Sequence, residues 1–214
     1  GSERGTVAEN VAAKLVADIR GADVCVDIHA SNIFIREIPQ VRIPSDDSGQ
    51  LLKYAKMLNT DFVWVHDSNA VGEGSLAHSL RQEGVPTLVI EMGVGQRITK
   101  AYCHQLLTGI FNLMSRMGVW EGPVNKISHP MVSSDGAVNV IHAVEGGIFI
   151  PRVEHNMWVQ KGTVIGDIVT PITGTVEEEV TAPEDGLIFS LREYPIVYEG
   201  SVIARILSMK NGEM

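Results

Sequence analysis

The chain has 214 residues, of which 44% are hydrophobic and 20% are charged, a balance typical of a globular protein with one or two domains. Its formal charge of −9 argues against a nucleic-acid partner, because phosphate binding needs clustered Lys and Arg. No apolar run reaches the roughly 20 residues that span a bilayer, and no signal-peptide core opens the chain. We therefore expect a cytoplasmic protein without a membrane partner, in which Cys25 and Cys103 are reduced core thiols.

The first 120 residues alternate helical and strand-like patterns. Helices are predicted over residues 6–20, 48–58, 75–83 and 99–117, and strands or extended segments over 23–29, 32–43, 62–65 and 85–91. Thr6 is placed to cap the first helix, and Gly84 to end the third. Alternating helices and buried strands predict an α/β fold with a mixed, largely parallel sheet under helical cover.

The pattern changes after Gly118, where helical periodicity gives way to short apolar runs separated by Gly, Pro and Asp-Gly. These runs cover residues 138–144, 147–150, 164–169, 174–180, 187–191 and 202–207. Such spacing is typical of an all-β unit. We therefore predict two domains, an α/β domain over residues 1–122 and a β-rich domain over residues 123–214.

Two of the predicted strands in the first domain end in residues that can bind a metal or take part in catalysis. One ends in Asp27-Ile28-His29, and the other places Glu91 directly after three apolar residues. Ligands of such sheets bind beyond the carboxyl ends of the strands, so His29 is a candidate metal ligand, oriented by Asp27 on the same strand face. Glu91 is a candidate general base, and Gly93 and Gly95 after it permit close backbone approach. The alternatives are a structural histidine and a strand-end glutamate bonded to loop amides.

The remaining histidines give weaker signals. His142 and Glu145 have the spacing of a two-ligand motif, but on a strand their side chains face opposite sides. His66 is expected in the core or at a rim, and His129 and His155 are expected to face solvent. The chain has no nucleophile elbow, phosphate loop or dinucleotide fingerprint, so serine-nucleophile and nucleotide chemistry have no support.

The Asp27-Ile28-His29 motif and the segment from Gly84 to Gly93 with its Glu91, followed by a helix and a β-rich part, resemble the succinylglutamate desuccinylase/aspartoacylase family. This family belongs to the zinc carboxypeptidase-like superfamily, and the resemblance covers essentially the whole chain. It implies zinc-dependent hydrolysis of an amide bond in a small N-acyl amino acid or acylated diamine, with His29 as a zinc ligand and Glu91 as the catalytic residue.

The chain departs from the family pattern in one respect. Family members carry a His-x-x-Glu pair and an Asn-Arg segment before the region where this chain begins, and neither occurs here in that order. A catalytic zinc needs three protein ligands. We therefore expect a truncated α/β domain with an incomplete zinc site, and a polypeptide that is inactive or nearly so by itself.

The C-terminal part resembles the barrel-sandwich fold of lipoyl and biotinyl carrier domains, at residues 153–162, 165–167 and 181–186. A carrier needs a lysine at a hairpin tip, and the corresponding residues 170–175 contain none. The resemblance thus implies a cap over the active site or an oligomer contact in place of a swinging arm.

Several alternatives remain at this stage. A scaffold or regulatory protein that kept the fold and lost the metal site is the non-catalytic rival, and a carboxypeptidase acting on peptides is a further one. A missing N-terminal segment would expose a sheet edge, so we expect a homo-oligomer. The sequence specifies neither the substrate nor the residues that bind a substrate carboxylate, and Arg36 and Arg97 are named only as guesses.

Overall fold

The structure, a computed structural model, describes residues 1–30, 32–67, 74–134 and 137–208. It divides into two compact units whose segments alternate along the chain. The first unit comprises Gly1–His29, Gln40–Ile90 and Gln105–Ser133, and the second comprises Ala30–Pro39, Glu91–His104 and Ser134–Met214. These units differ from the division at residues 122 and 123, which stays a prediction about independent domains.

The described helices and strands follow the predicted order. The helices are α1 (Val7–Ile19), α2 (Ser48–Ala55), α3 (Leu76–Gln82) and α4 (Lys100–Arg116), and a 3-10 turn covers Ser45–Asp47. The strands are β1 (Cys25–His29), β2 (Ile35–Pro44), β3 (Phe62–His66), β4 (Thr87–Gly93), β5 (Met131–Ser134), β6 (Val138–His142), β7 (Gly147–Pro151), β8 (Met157–Val159), β9 (Val164–Val169), β10 (Val176–Thr181), β11 (Gly186–Arg192), β12 (Ile196–Val197) and β13 (Val202–Ser208). Across the described ranges, no helix combines the length and apolar character that crossing a membrane requires.

Local capping explains where two helices begin. The hydroxyl of Thr6 accepts the backbone N–H of Glu9, and the Glu9 carboxylate accepts the N–H of Thr6 at 2.7 Å, which is a capping box. Ser75 caps α3 by accepting the N–H of His78 at 3.1 Å. The predicted starts of both helices are therefore confirmed. Helix α1 nevertheless has no fully buried residue. Its apolar spacing therefore predicts the helix but does not predict that its apolar face is buried.

The first unit is a sheet with helices, in which the strand order is β1-β4-β2-β3-β5. Strands β2 and β3 are parallel, with Gln40 opposite Phe62 and Pro44 opposite His66. Its buried apolar side chains come from strands, from helices and from the turn after α2: Val41, Ile43, Leu51, Ala55, Leu58, Phe62, Leu80, Leu88, Ile90, Leu106 and Leu113. The α/β class with a mixed sheet is thus confirmed.

The cysteines are less buried than the sequence indicates. Cys103 is exposed and Cys25 is half-buried, so the prediction of two core thiols is wrong for Cys103. Both are reduced in the structure. Burial and the nearby Asp27 carboxylate raise the pKa of the Cys25 thiol, which keeps it protonated.

The second unit contains two antiparallel arrangements of strands. In one, β11 pairs with β13, β8 and the first residues of β2, and β13 pairs with β6. In the other, the order is β10-β9-β7-β12. One apolar cluster draws on both: Phe149, Ile165, Ile168, Val180, Ile188, Leu191, Ile203 and Ile206. The β-rich character of this part is confirmed, and the barrel-sandwich arrangement stays a prediction.

Candidate functional site

The Asp-x-His motif forms a contact within β1, in the first unit. The Oδ2 atom of Asp27 lies 3.0 Å from Nε2 of His29. Alternation along the strand puts both side chains on one face, as predicted. The Asp27 side chain is 18% exposed and that of His29 is 46% exposed, so the imidazole stands at the open end of the pair. A carboxylate in contact with one ring nitrogen can orient a histidine for metal binding, which is the role predicted for Asp27.

Strand β4 begins beside β1 in the first unit. The backbone N–H of Cys25, the first residue of β1, donates to the carbonyl of Pro86 at 2.8 Å, and the two strands are neighbours in the sheet. Neighbouring strands that start together run parallel. Ile90 therefore lies about as far along β4 as His29 lies along β1. Glu91 is the next residue in the chain.

Glu91 belongs to the second unit and is only 7% exposed. The backbone conformation after Glu91 requires glycine at two positions, as the sequence predicts. Gly93 has a φ of 71°, and a Cβ there would lie 3.3 Å from the Thr99 hydroxyl. A Cβ on Gly95 would lie 3.0 Å from the carbonyl of Asn32, which accepts the Gly95 N–H at 2.7 Å. Bonded and closely packed glycines therefore fix the backbone that follows the carboxylate.

The two arginines suggested for substrate binding meet at one carboxylate in the second unit. The Oε1 atom of Glu193 accepts from Nη2 of Arg36 at 2.9 Å and from Nη1 of Arg97 at 2.6 Å. Strand pairing explains the first contact, since Arg36 lies opposite Leu191 and Glu193 lies two residues further along that face. The sequence contains no local signal for Glu193 as the residue that joins them.

His155 is half-buried, so the expectation that it faces solvent is wrong. Its Nε2 atom and the Tyr102 hydroxyl are 2.5 Å apart. Burial and the positive charge of Arg36 lower the pKa of His155, against opposing effects of Glu193 and Glu154, so the imidazole is neutral near pH 7. The two residues of this pair are 53 positions apart, and no sequence pattern predicts their contact.

A cleft of about 440 Å³ opens beside this histidine. Its lining residues come from β2, β7, β11 and the loops that follow β7 and β11: Arg36, Pro151, Val153, Glu154, His155, Leu191, Arg192 and Glu193. The Arg192 guanidinium stacks over Phe34 and donates to three backbone carbonyls. Its role in the cleft is therefore structural. All of these residues belong to the second unit.

A separate cavity of about 260 Å³ lies in the first unit, where β4 begins. His66 and His78 both line it. His66 is 8% exposed, and its Nδ1 atom lies 2.9 Å from the Asp67 carbonyl, so the expected core or rim position is confirmed. Arg81 also lines it and pairs with Asp47 at 2.6 Å.

The described donors are too few for a complete zinc site. Catalytic zinc takes three protein ligands plus water. In residues 1–30, 32–67, 74–134 and 137–208, no three His, Cys, Asp or Glu side chains lie close enough to hold one ion. His29, in contact with Asp27, is the candidate for a single ligand. The described residues therefore do not fit a complete zinc centre.

Neither the family models nor the curated proteins contain a match to the sequence. Solved structures do match. The ectoine utilization protein EutE (DoeB) from Ruegeria pomeroyi is 18% identical with a TM-score of 0.81, over 98% of this chain and 68% of its own. A succinylglutamate desuccinylase/aspartoacylase from Rhodobacter sphaeroides is 21% identical with a TM-score of 0.79, over 99% and 66%. A succinylglutamate desuccinylase from Silicibacter sp. TM1040 is 19% identical with a TM-score of 0.81, over 98% and 65%.

This chain thus spans about two thirds of the length of the structures that it matches. At these identities the likeness concerns the fold. The arrangement of helices and strands agrees with the family suggested by the Asp27-Ile28-His29 motif and by the segment that contains Glu91. The chain has the fold of the succinylglutamate desuccinylase/aspartoacylase proteins.

Proposed function

We propose that this chain supplies part of the active site of a zinc-dependent deacylase, which hydrolyses the amide bond of a small N-acyl amino acid or acylated diamine. The observation that carries the proposal is the buried Glu91 on a strand that starts beside the Asp27–His29 strand, in the fold of the desuccinylase/aspartoacylase proteins. Fold alone does not define chemistry, so the proposal rests on these side chains as well.

In this proposal Glu91 moves the proton. Its carboxylate takes a proton from the attacking water, whose oxygen forms a bond to the acyl carbon. The same proton then passes to the leaving nitrogen as the amide C–N bond breaks, which yields a carboxylate and an amine. A largely buried position suits this role, because bulk water cannot exchange the proton during the step.

His29 is proposed as one zinc ligand and Asp27 as the residue that orients it. Zinc, when bound, supplies a Lewis acid. The other ligands would come from outside the described residues. By itself the 214-residue chain is therefore expected to bind zinc weakly and to show no measurable hydrolysis. The natural setting proposed for the enzyme is the cytoplasm, with a small molecule as its only substrate.

The experiment uses the protein encoded by the complete reading frame that contains these residues. We expect about one zinc per active site, and hydrolysis of at least one compound in a panel of N-acetyl and N-succinyl amino acids and acetylated diamines. Substituting His29→Ala should lower the zinc content and the rate together, whereas the exposed His129→Ala should change neither. A protein that cleaves the panel equally well with and without a strong chelator would refute the zinc proposal.

The second candidate is a non-catalytic scaffold or regulatory protein that retains the fold. The absence of a three-donor cluster among the described residues favours it. The metal assay separates the two candidates, because a scaffold of this kind would contain no stoichiometric zinc. In that case His29→Ala would leave every binding property of the protein unchanged.

A further inference from the structure

The four-stranded sheet of the second unit, β10-β9-β7-β12, has a covered inner face and an open outer face. Alternate residues of its strands enter the buried apolar cluster of this unit: Phe149, Ile168, Val180 and Val197. The residues between them point away from that cluster. An antiparallel sheet that is covered on one side usually has a polar outer face, and this sheet departs from that rule.

A row of apolar side chains crosses the outer face. One residue from each strand belongs to it, and the strand register places each opposite the next: Ile196, Ile148, Val169 and Val176. Residues paired in antiparallel strands share a face, so these four side chains are neighbours. The two end residues, Ile196 and Val176, are exposed, and the two between them are half-buried. The outer face therefore carries an apolar surface across its full width.

The strands and turns around this apolar row are strongly acidic. Residues 144–152, 164–181 and 195–200 contain six carboxylates and one arginine, a net charge of −5 within a chain whose formal charge is −9. On β10, Glu177 and Glu179 are both exposed. The electrostatic potential over the row is therefore negative.

One buried carboxylate oxygen at this face is without a hydrogen bond. Asp167 lies opposite Ile150 on β7 and Glu179 on β10, and it is only 8% exposed. Its Oδ2 atom accepts from Nε of Arg152 at 2.7 Å, whereas its Oδ1 atom has no partner among the residues that the structure describes. A buried acceptor is costly unless a donor reaches it. A lysine or arginine of a bound partner supplies such a donor.

Charge decides which partner fits this face. A second copy of the chain would bring an equally acidic surface, and an anionic lipid or nucleic acid would also be repelled. Three consecutive glutamates on the edge strand β10, residues 177–179, are moreover a typical protection against pairing with another copy. A cationic polypeptide is attracted, and apolar side chains on one side of it would cover the row.

We propose that the outer face of this sheet binds a basic, amphipathic polypeptide segment of a partner protein. The apolar side chains of the segment cover the row from Ile196 to Val176. Its Lys or Arg side chains meet Glu177, Glu179 and Asp167. The proposal does not depend on the deacylase function, because none of these residues is a candidate catalytic residue or lines the cleft beside His155.

The test titrates the 214-residue chain with synthetic peptides and follows the backbone amide signals by NMR. The probe is a short peptide that alternates lysine and valine. One control peptide has glutamate in place of lysine, and the other has serine in place of valine. We expect the lysine–valine peptide alone to shift the signals of Ile148, Val169 and Val176. An equal response to either control peptide, or no response to the probe at millimolar concentration, would overturn the proposal.

Two variants test the apolar part of the contact. Val176→Ser and Ile196→Ser should each weaken binding of the lysine–valine peptide by about three- to tenfold, as expected when a half-exposed apolar side chain is no longer covered. The matched control is Val11→Ser, at an exposed position on α1 in the first unit, which should leave the affinity unchanged. Equal affinities in all three variants would contradict the assignment of the row.

A double variant tests the acidic part. Replacing both residues, Glu177→Gln and Glu179→Gln, should weaken binding by about two- to fivefold at low salt and by less as the salt concentration rises. Glu121→Gln, an exposed position in the first unit, is the control and should have no effect. Binding that is insensitive both to the double variant and to salt would show that charge does not select the partner.

Two further measurements distinguish other occupants of the face. Sedimentation velocity compares Val176→Ser with the unsubstituted chain, and we expect the same oligomeric state; a loss of self-association in the variant would identify a second copy as the occupant. The peptide titration is then repeated with the protein encoded by the complete reading frame. We expect it to bind the lysine–valine peptide as well. Binding to the 214-residue chain alone would mean that another part of the same polypeptide covers the face, which would also overturn the proposal.

Discussion

His155 is held neutral by its surroundings at the cleft of the second unit. Burial is the main cause of its lowered pKa, and the Arg36 charge adds to it. An imidazole in this state can accept a hydrogen bond from the Tyr102 hydroxyl, and protonation would place a third cation near Arg36 and Arg97. Lowering the pH therefore adds a positive charge to the cleft.

The stability of the protein should depend on pH through this residue. Unfolding returns His155 to its ordinary pKa of about 6.5, so below that pH the unfolded chain binds the proton more readily than the folded chain. The free energy of unfolding should therefore fall as the pH drops from about 7 to about 5.5. Urea titrations at the two pH values measure the change.

The matched variants are His155→Gln and His129→Gln, the latter at an exposed position. His155→Gln should reduce the pH dependence, and His129→Gln should retain that of the unsubstituted protein. The same dependence in all three proteins would show that the folded state does not lower the pKa of His155.

At the scale of elements, the sequence predicts helices and strands well where the signals are local. Thr6 and Ser75 cap helices next to them in the chain, and apolar runs mark the longer strands. Three short strands lie outside the predicted segments: β5, β8 and β12. Strand β8 illustrates the reason, since its three residues are ordered by pairing with β11, about 30 residues away. Such a strand has too few residues to show alternation.

An ion pair in the second unit joins β2 and β13 across the intervening strand β11. Glu37 in β2 is fully buried, and its Oε1 atom lies 2.7 Å from Nη1 of Arg205 in β13. Ser190 in β11 lies opposite both residues and also accepts from Arg205 at 3.2 Å. The substitution Arg205→Met leaves a buried carboxylate without this cation and should cost about 3–5 kcal/mol in the free energy of unfolding.

Urea denaturation measures this loss, and a double variant controls it. Adding Glu37→Met to Arg205→Met removes the carboxylate as well, so most of the lost stability should return. Lys14→Met, which breaks an exposed pair with Asp18, should have little effect. A loss in Arg205→Met no larger than that in Lys14→Met would mean that the buried pair is unimportant for stability.

Helix α4 approaches the turn after α2 through a glycine in the first unit. A Cβ on Gly109 would lie 1.9 Å from the carbonyl oxygen of Leu58, a backbone atom that cannot turn aside. Gly109→Ala should therefore destabilise the protein by about 1–3 kcal/mol, despite the better helix propensity of alanine.

Gly49 in α2 is the matched control, because a Cβ there meets no atom within 4 Å. Gly49→Ala should stabilise the protein slightly, by about 0.5–1 kcal/mol. Thermal unfolding of the two variants compares them directly. Similar shifts of the two melting temperatures in the same direction would contradict the close approach at Gly109.

At the scale of the whole molecule, the sequence indicates the fold but not how the chain divides into compact units. Residues 30–39 and 91–104 lie in the N-terminal half of the chain yet belong to the second unit. The pairing of Arg36 with Leu191 explains the first of these segments, because it links positions 155 residues apart. Composition and periodicity report on neighbours along the chain and carry no signal for such a pairing.

The candidate residues fall into two groups: those that a local sequence pattern indicates, and those that only a contact between distant segments brings together. Asp27, His29 and Glu91 could be found from the sequence, because apolar strands that end in polar residues are a local pattern. The Glu193 contact with both arginines and the Tyr102–His155 pair could not, because each joins distant segments. That His29 and Glu91 act on one substrate stays a prediction.

Self-association also stays a prediction. The apolar residues Val7, Val11 and Leu15 form an exposed row on α1, at 83%, 54% and 47% exposure. Covering such a row with a second copy of the chain would remove it from water. Sedimentation velocity should therefore detect an oligomer, and Val11→Glu should shift it toward the monomer. A monomer at every accessible concentration of the unsubstituted chain would contradict this expectation.

The most direct test of the proposed function is the effect of Glu91→Gln on kcat/KM for the best N-acyl substrate, measured in the protein from the complete reading frame. The exposed Glu121→Gln is the control. We predict a fall of at least about 100-fold for Glu91→Gln, as expected for loss of a general base, with no change for Glu121→Gln. Activity of Glu91→Gln within about twofold of the unsubstituted enzyme would contradict the assignment of Glu91 as the catalytic carboxylate.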